Sequence, residues 1–475
     1  MLFLSIGRII KKLLKPMALA LLIISCEQQN TSKTNAWLQL QEIVDSVVVP
    51  AFPNKIFNIL DYGAITDSTT NNTDAIKKAI EACSLSGGGI VLIPKGKFLT
   101  GPIHLENNIN LHLNEGAEIL FSTNLDDFPI VHTSYEGTEL MNFSPLIYAK
   151  GKTNIAITGK GILNGQASND FWWSWCGKES YGWKDGDPKQ HTSLTKLKEG
   201  MSEKGVPVEK RVFGKGEYLR PSFVEPFECN NVLIQGVKII NAPFWVIHPI
   251  KSTNVTIDGV TVESHGPNND GCDPEYSKNI IIKNCTFNTG DDCIAIKSGR
   301  NEDGRRVNIV SENIVVQNCK MIDGHGGVVM GSEISAGVRN VFVENCEMDS
   351  PNLERAIRIK TNTKRGGFVE DVYVRNIKIG QVKEAVLKIN LFYGIYGVQE
   401  GEFMPRVSNI NLENIQVENG GKYGILAKGY AEQPITDITL KDVTIKKVDS
   451  VYALENVTNI NFINTHINGI PMKSL

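Results

Sequence analysis

The chain has no surplus of charge of either sign. Its 49 lysines and arginines face 52 aspartates and glutamates, a net charge of −3 over 475 residues. That balance excludes the broad basic face that holds nucleic acid, so no nucleic-acid partner is expected. An anionic substrate stays open, because a few local cations can bind one. Long apolar runs are missing too. The run from Met17 to Ile24 is too short to span a bilayer, and no later segment is apolar enough to cross one. No Cys/His cluster has zinc-site spacing. The LxxLxL pattern of a leucine-rich repeat and the Trp-Asp motif of a propeller blade are both absent.

What is present begins with an N-terminal signal. Arg8, Lys11, Lys12 and Lys15 precede the short apolar run, Cys26 follows Ile23, Ile24 and Ser25, and a polar stretch comes next. This resembles a bacterial lipoprotein signal over residues 1–26, with Cys26 as the lipidated residue. The expectation is an exported protein, either an envelope lipoprotein (periplasmic or outer surface) or a secreted one, touching membrane only through that anchor. Residues 27–50 read as a polar linker and 51–475 as the folded part. Setting Cys26 aside leaves eight of the nine cysteines. Cys285, Cys319 and Cys346 each follow an Asn in the same local pattern, which reads as small apolar residues stacked inside a repeat. No spacing demands a disulfide.

One degenerate repeat dominates. NIIIKNCTF begins at Asn279, and related copies begin at Asn154, Asn231, Asn254, Asn313, Asn340, Asp371, Asn409, Asp437 and Asn459. Each unit is a short strand of alternating apolar and polar side chains, a bend at Asn or Gly, and a second short strand. The period is roughly 22 to 38 residues, with the variation absorbed in loops. One such strand cannot bury its apolar face alone. Stacking successive coils about 4.8 Å apart pairs every backbone group, which gives an all-β parallel β-helix. The recurrent Asn is expected to bond the turn and form an internal ladder. Asn72 to Cys83 has helical periodicity and is expected to cap the first coil. Residues 165–220 break the repeat and read as a long loop excursion. Its Trp172, Trp173, Trp175 and Trp183 suit either stacking on sugar rings or a packed aromatic cluster.

Charged motifs cluster in the central repeats: Asn268-Asn269-Asp270, Gly290-Asp291-Asp292, Gly324-His325-Gly326 and Arg358-Ile359-Lys360. Asp291 follows Asn279 by the same interval as His325 follows Asn313, so the two occupy one place in adjacent coils. Asp270 and the Arg358/Lys360 pair fall in the corresponding stretches of flanking coils. Stacking therefore gathers them on one face. Stacked carboxylates push their pKa values apart, which supplies the acid and the base of a glycosidase. Arg358 and Lys360, two apart on a strand, share a face and suit an anionic sugar. Each motif alone reads as a solvated turn or charged strand, and a calcium site is a rival for stacked aspartates.

Taken in order, the four motifs resemble glycoside hydrolase family 28, the polygalacturonase family, over roughly residues 55 to 470. The resemblance implies a right-handed, single-stranded parallel β-helix that hydrolyses α-galacturonosyl linkages with inversion, using no metal and no cofactor. It implies Asp291 as general acid, Asp270 and Asp292 as holders of the attacking water, and His325 as the residue that tunes Asp291. Arg358 and Lys360 would hold a galacturonate carboxylate. Inverting enzymes in general separate acid and base by about 6.5–9.5 Å. Further binding candidates are Asn268, His248, Lys297 and Glu333, while Asp273 reads as a structural turn residue. Asn269 stands where the family more often has Thr. The stretches His265 to Asp270 and Lys297 to Arg306 resemble the exo-acting bacterial subgroup, with 165–220 available to wall off one end of a groove. The expected partner is a pectic polysaccharide or oligogalacturonide, bound by a monomer. Two alternatives stand beside this: a calcium-dependent β-helical polysaccharide lyase, and a β-helix that binds carbohydrate without cutting it.

Overall fold

The structure, a computed structural model, describes residues 36–394 and 400–475. The expected signal and Cys26 lie outside these residues. Ala36–Ser46 forms an α-helix inside the stretch expected as a polar linker. The correction has a simple cause: Leu40 and Ile43, three apart, put an apolar stripe on one helical face. Residues 46–475 form a separate compact unit.

That unit is the expected solenoid, a right-handed parallel β-helix. Its strands fall into sheets of 23, six, three and two strands among the described residues. Only the hairpin Ile130–Tyr135/Thr138–Phe143 and the C-terminal pair His466–Ile467/Ile470–Pro471 run antiparallel among the named strands. Every other pairing joins one coil to the next. Ile280 pairs with Ile314 and Ile314 with Val341, so inward side chains stack on like side chains. All three are fully buried. Cys285, Cys319 and Cys346 stack in the same way, buried and free of disulfides.

Asparagine sets the bends. The amide of Asn254 donates to Asn231 (3.1 Å), that of Asn279 to Asn254 (3.2 Å), that of Asn313 to Asn279 (2.9 Å) and that of Asn340 to Asn313 (3.1 Å). These asparagines adopt φ between 54° and 58°. An L residue enters that left-handed region cheaply only when a short polar side chain bonds locally, and here the bond is to the next rung. From Asn231 onward the intervals along the ladder run from 22 to 38 residues and reproduce the expected period; the two before it are 46, Asn108 to Asn154, and a long gap of 77. The gap falls between Asn154 and Asn231 and holds the excursion.

Thr73–Leu85 is the capping helix. It buries Ala75, Ile76, Ala79, Ile80 and Cys83 over the first coil. The excursion contains the short helices Trp173–Cys176 and His191–Thr195, with the turn Lys196–Ser202 continuing the latter. It is bound to the rest of the molecule. Met141 N donates to the Arg211 carbonyl and the Met141 carbonyl accepts from Phe213 N, Arg211 pairs with Asp303 inside the protein, and Asn301 donates to Glu203 (2.8 Å). The aromatic question divides. Trp172 is fully buried against Phe128, Phe171 and Trp175, a packed cluster, and none of the four tryptophans of the excursion lines the groove described below.

Candidate active site

A groove of about 350 Å³ crosses the stack where the strands Ile294–Ile296, Val328–Gly331 and Arg355–Lys360 lie side by side. Cys272, Ile294, Val328 and Ile357 are in register. Counting back two residues sets Asp270 beside Asp292, with Gly326 on the next rung. Counting forward, Lys297 and Lys360 flank Gly331. The repeat thus brings Asp270, Asp291 and Asp292 together: one oxygen from each lies within 4.8 Å of the others. This is closer than the separation general to inverting enzymes. Rungs about 4.8 Å apart hold carboxylates on successive coils at about that distance.

Each carboxylate meets a different environment. Asp270 and Asp291 face the groove, whereas Asp292 lies behind them with no exposure. Lys360 Nζ donates to Asp292 at 2.7 Å and Arg358 at 3.3 Å. Burial raises the Asp292 pKa, but Lys360 and Arg358 outweigh burial and hold it below its usual value. His325 Nδ1 lies 2.9 Å from Asp291 Oδ1. That hydrogen bond is the main cause raising His325 to about 9, so the ring is an imidazolium at neutral pH. In return, the hydrogen bond and charge of His325 overcome burial and depress Asp291. Asp270 goes the other way. Burial first, then the charges of Asp291 and Asp273, lift it well above the carboxylate range. In the free site, then, Asp270 is the carboxyl most inclined to hold a proton, Asp292 is biased toward its charged form, and Asp291 is bonded to the His325 imidazolium.

The glycines of the His325 motif have steric reasons. A Cβ on Gly326 would sit 2.5 Å from Val329 and 3.1 Å from the Asp292 carboxylate. At Gly324, with φ of +147°, it would meet the Asp291 carbonyl at 2.5 Å. Asn269 is a four-bond clamp: it accepts from Ser264 and Gly266 and donates to Ala242 and Phe244, fixing the loop that presents Asp270. Its neighbour Asn268 lines the groove and accepts from the buried Arg220 at 2.8 Å.

Lys297 is the central cation. Its Nζ lies 3.6 Å from Asp270, 3.5 Å from Asp273 and 3.5 Å from Glu333, over the ring of Trp245. Glu333, also in the groove, is held well below its usual pKa because Lys297, Arg365 and Arg300 outweigh its burial. Asp273 is fully enclosed, more than a turn residue: Lys297 is its partner, and neither of its oxygens has a hydrogen bond. His248 is corrected. It is 0% exposed and lies outside the groove, sealed between Ser222 (3.1 Å) and Glu275 (2.9 Å), so it supports the coil and cannot touch substrate. Trp245, three residues earlier in the same irregular stretch and in ring contact with His248, lines the groove instead. Sequence reasoning also missed Tyr393, whose ring lies 5.6 Å from the Arg358 guanidinium and 5.3 Å from Lys360. It likewise missed Glu136, Lys198 and Arg365, which lie in loops outside the repeat.

Comparison with known proteins bears directly on this geometry. The sequence family described as "Glycosyl hydrolases family 28" matches residues 210–467, which span all four motifs. The chain belongs to glycosyl hydrolase family 28. A second family, "Rhamnogalacturonase A/epimerase, pectate lyase-like", matches residues 56–139, the entering coils. Among solved structures, a hyperthermoactive exopolygalacturonase from Thermotoga maritima is 45% identical, with a TM-score of 0.89 over 93% of this chain and 98% of that one. The exo-poly-alpha-D-galacturonosidase of Dickeya chrysanthemi is 29% identical over 77% of this chain and 62% of its own length. An endo-polygalacturonase of Pectobacterium carotovorum is 28% identical over 82% of this chain and 88% of its own. Asp270, Asp291, His325, Arg358 and Lys360 line this one groove, with Asp292 directly behind them.

Proposed function

We propose that this glycoside hydrolase removes galacturonate units from one end of pectic galacturonan or oligogalacturonides, with inversion at the cleaved carbon. The observation that carries the substrate class is the groove's charge. It presents eight lysines and arginines, plus His325, against five aspartates and glutamates. Such a surplus inside a partly closed groove suits a polymer with a carboxylate on every sugar. Exo action is supported by the excursion, which sends Cys176, Lys178, Gln190, Leu194 and Lys198 into the groove wall. The test is viscometry on polygalacturonate beside a reducing-end assay. Exo action releases reducing ends with little loss of viscosity; an early collapse of viscosity would mean internal cutting.

The residue roles follow from protonation. Asp291 gives the leaving oxygen the proton it shares with His325. As a water at the groove surface bonds through its oxygen to the sugar carbon that loses the leaving oxygen, its proton passes to the Asp270–Asp292 pair, which ends with one proton more. Arg358 and Lys360 take a substrate carboxylate, with Tyr393 beside them. When pH rises through about 9 the imidazolium of His325 is lost, and the Asp291–His325 pair loses its only proton. The expected kcat/KM profile therefore falls on its alkaline side near pH 9, and His325→Asn removes that limb. An unchanged limb in the variant would assign it to another group.

We propose further that the protein is exported and lipidated at Cys26, supported by the basic and apolar residues that precede it. A Cys26→Ser variant is expected to move from the membrane fraction to the soluble one; an unmoved variant counts against the anchor.

A further inference from the structure

Beyond the Arg358/Lys360 pair, a second row of charged groups closes the groove. Its floor comes from the coils: Arg300 at the start of the short helix Asn301–Val307, Glu333 after the strand Val328–Gly331, and Arg365 after the strand Arg355–Lys360. Its wall comes from elsewhere. The hairpin tip Glu136-Gly137 rests on this floor, with Arg300 N donating to the Gly137 carbonyl at 3.0 Å. A Cβ on Gly137 would meet Arg300 at 2.9 Å and Glu333 at 3.0 Å, so the tip is seated without a gap. Lys198 of the excursion contacts Glu136. The contacts continue from Arg300 to Glu136 at 3.8 Å and Glu333 at 3.7 Å, and from Arg365 to Glu333 at 3.2 Å.

This row is cationic in total: Lys198, Arg300 and Arg365 stand against Glu136 and Glu333, and Glu333 is also shared with Lys297. The Nε atoms of Arg300 and Arg365 are buried without a hydrogen-bond partner, and the Arg365 side chain is only 5% exposed. Guanidiniums this desolvated gain most from a carboxylate that reaches their exposed edge. All five side chains line the groove. The row is joined to the reacting carboxylates by one side chain, since Lys297 touches both Asp270 and Glu333. A sugar whose neighbour is being cleaved would carry its own carboxylate to this place.

We propose that Lys198, Arg300 and Arg365 form a second carboxylate site that reads the terminal uronate of the chain, so that the closed end selects for charge as well as for an end. Lys198 is the specificity-determining member, being the one supplied by the excursion. This rests on the exo-hydrolase reading, and the test separates the two. Binding is measured on the Asp291→Asn background, where turnover plays no part, with trigalacturonate and with its two analogues methyl-esterified only at one or the other terminal residue. One of the two monoesters is expected to bind roughly 10- to 100-fold more weakly than the free acid, as for loss of a charge-assisted hydrogen bond. Adding Lys198→Met, or separately Arg300→Gln, is expected to shrink that ratio below about 3-fold, with thermal melting confirming that each variant is folded. Equal binding of all three ligands to the Asp291→Asn protein would overturn the proposal. So would a penalty that survives in both folded variants, because it would then belong to Arg358 and Lys360. Failure of the hydrolase reading would show elsewhere, as absence of turnover by the wild type.

Discussion

Replacing Asp291 with Asn lowers kcat on oligogalacturonides by about 10²–10⁴-fold, the span general acids contribute, while KM changes little. The expectation follows from position. Asp291 is the carboxylate that faces the groove and shares a proton with His325 across 2.9 Å. An amide fills the same space and still bonds to the ring, so the fold and the substrate's cation contacts persist. It cannot pass a proton to a leaving oxygen. A second consequence separates this loss from general damage. The bond to Asp291 is the main reason His325 titrates near 9. In the variant, the His325 ring should titrate closer to its ordinary value near 6.5, visible by NMR. A variant that loses activity but keeps the raised His325 would place the acid elsewhere.

Replacing Lys297 with Met destabilises the protein by about 3–5 kcal/mol, the usual effect of removing one partner from a buried ion pair. Lys297 is the shared cation of Asp270, Asp273 and Glu333, and all four side chains are buried. Met fills most of the volume but takes the cation from Asp270 and Asp273, while Glu333 keeps Arg365 and Arg300. Asp273 is the most dependent, since neither oxygen has a hydrogen bond and Lys297 is its ion-pair partner. Adding Asp273→Asn should therefore recover part of the loss, and denaturant unfolding of the single and double variants measures the coupling. Strict additivity would show that Asp273 does not depend on Lys297. The same lysine lies over the Trp245 ring at 4.4 Å, so its loss also loosens the groove floor.

The parts of this molecule that repeat are the parts legible in the sequence. The asparagine ladder follows from a left-handed bend that recurs once per coil, and Asn is the residue that tolerates it. Register then carries catalytic information: Asp291 and His325 are 34 residues apart, and so are the ladder residues Asn279 and Asn313. That equality is enough to set the two side chains on adjacent rungs, one above the other. The capping helix is legible through its 3.6-residue period. The failures lie where register stops. His248 and Trp245 belong to one irregular stretch, and which of them faces the groove depends on backbone detail that no repeat supplies. Lys198 lies in the excursion and Glu136 at a hairpin tip, and both reach the site by long-range packing alone. Tyr393 and Arg365 occupy loops after the site strands, where no recurring motif marks them. The carboxylates sit closer than the general figure for inverting enzymes because Asp291 and Asp292 are chain neighbours and Asp270 is in register with Asp292 on the adjoining coil.

Protonation also refines the roles that the family resemblance implies. Motif order alone assigns the water jointly to Asp270 and Asp292. On the proposed roles, burial would divide that work: it favours the protonated form of Asp270 at the groove surface, while Lys360 and Arg358 favour the charged form of Asp292 behind it. On the proposed roles, a substrate carboxylate that engaged those two cations would weaken their hold on Asp292 and make it a better acceptor, coupling binding to base strength through the same pair of side chains.

The most direct test of the account is product analysis of the purified protein on oligogalacturonides beside Asp291→Asn. The account predicts saturated galacturonate released one unit at a time by the wild type and none by the variant. Unsaturated, ultraviolet-absorbing products that vanish with a chelator would contradict it, since they would show elimination in place of hydrolysis.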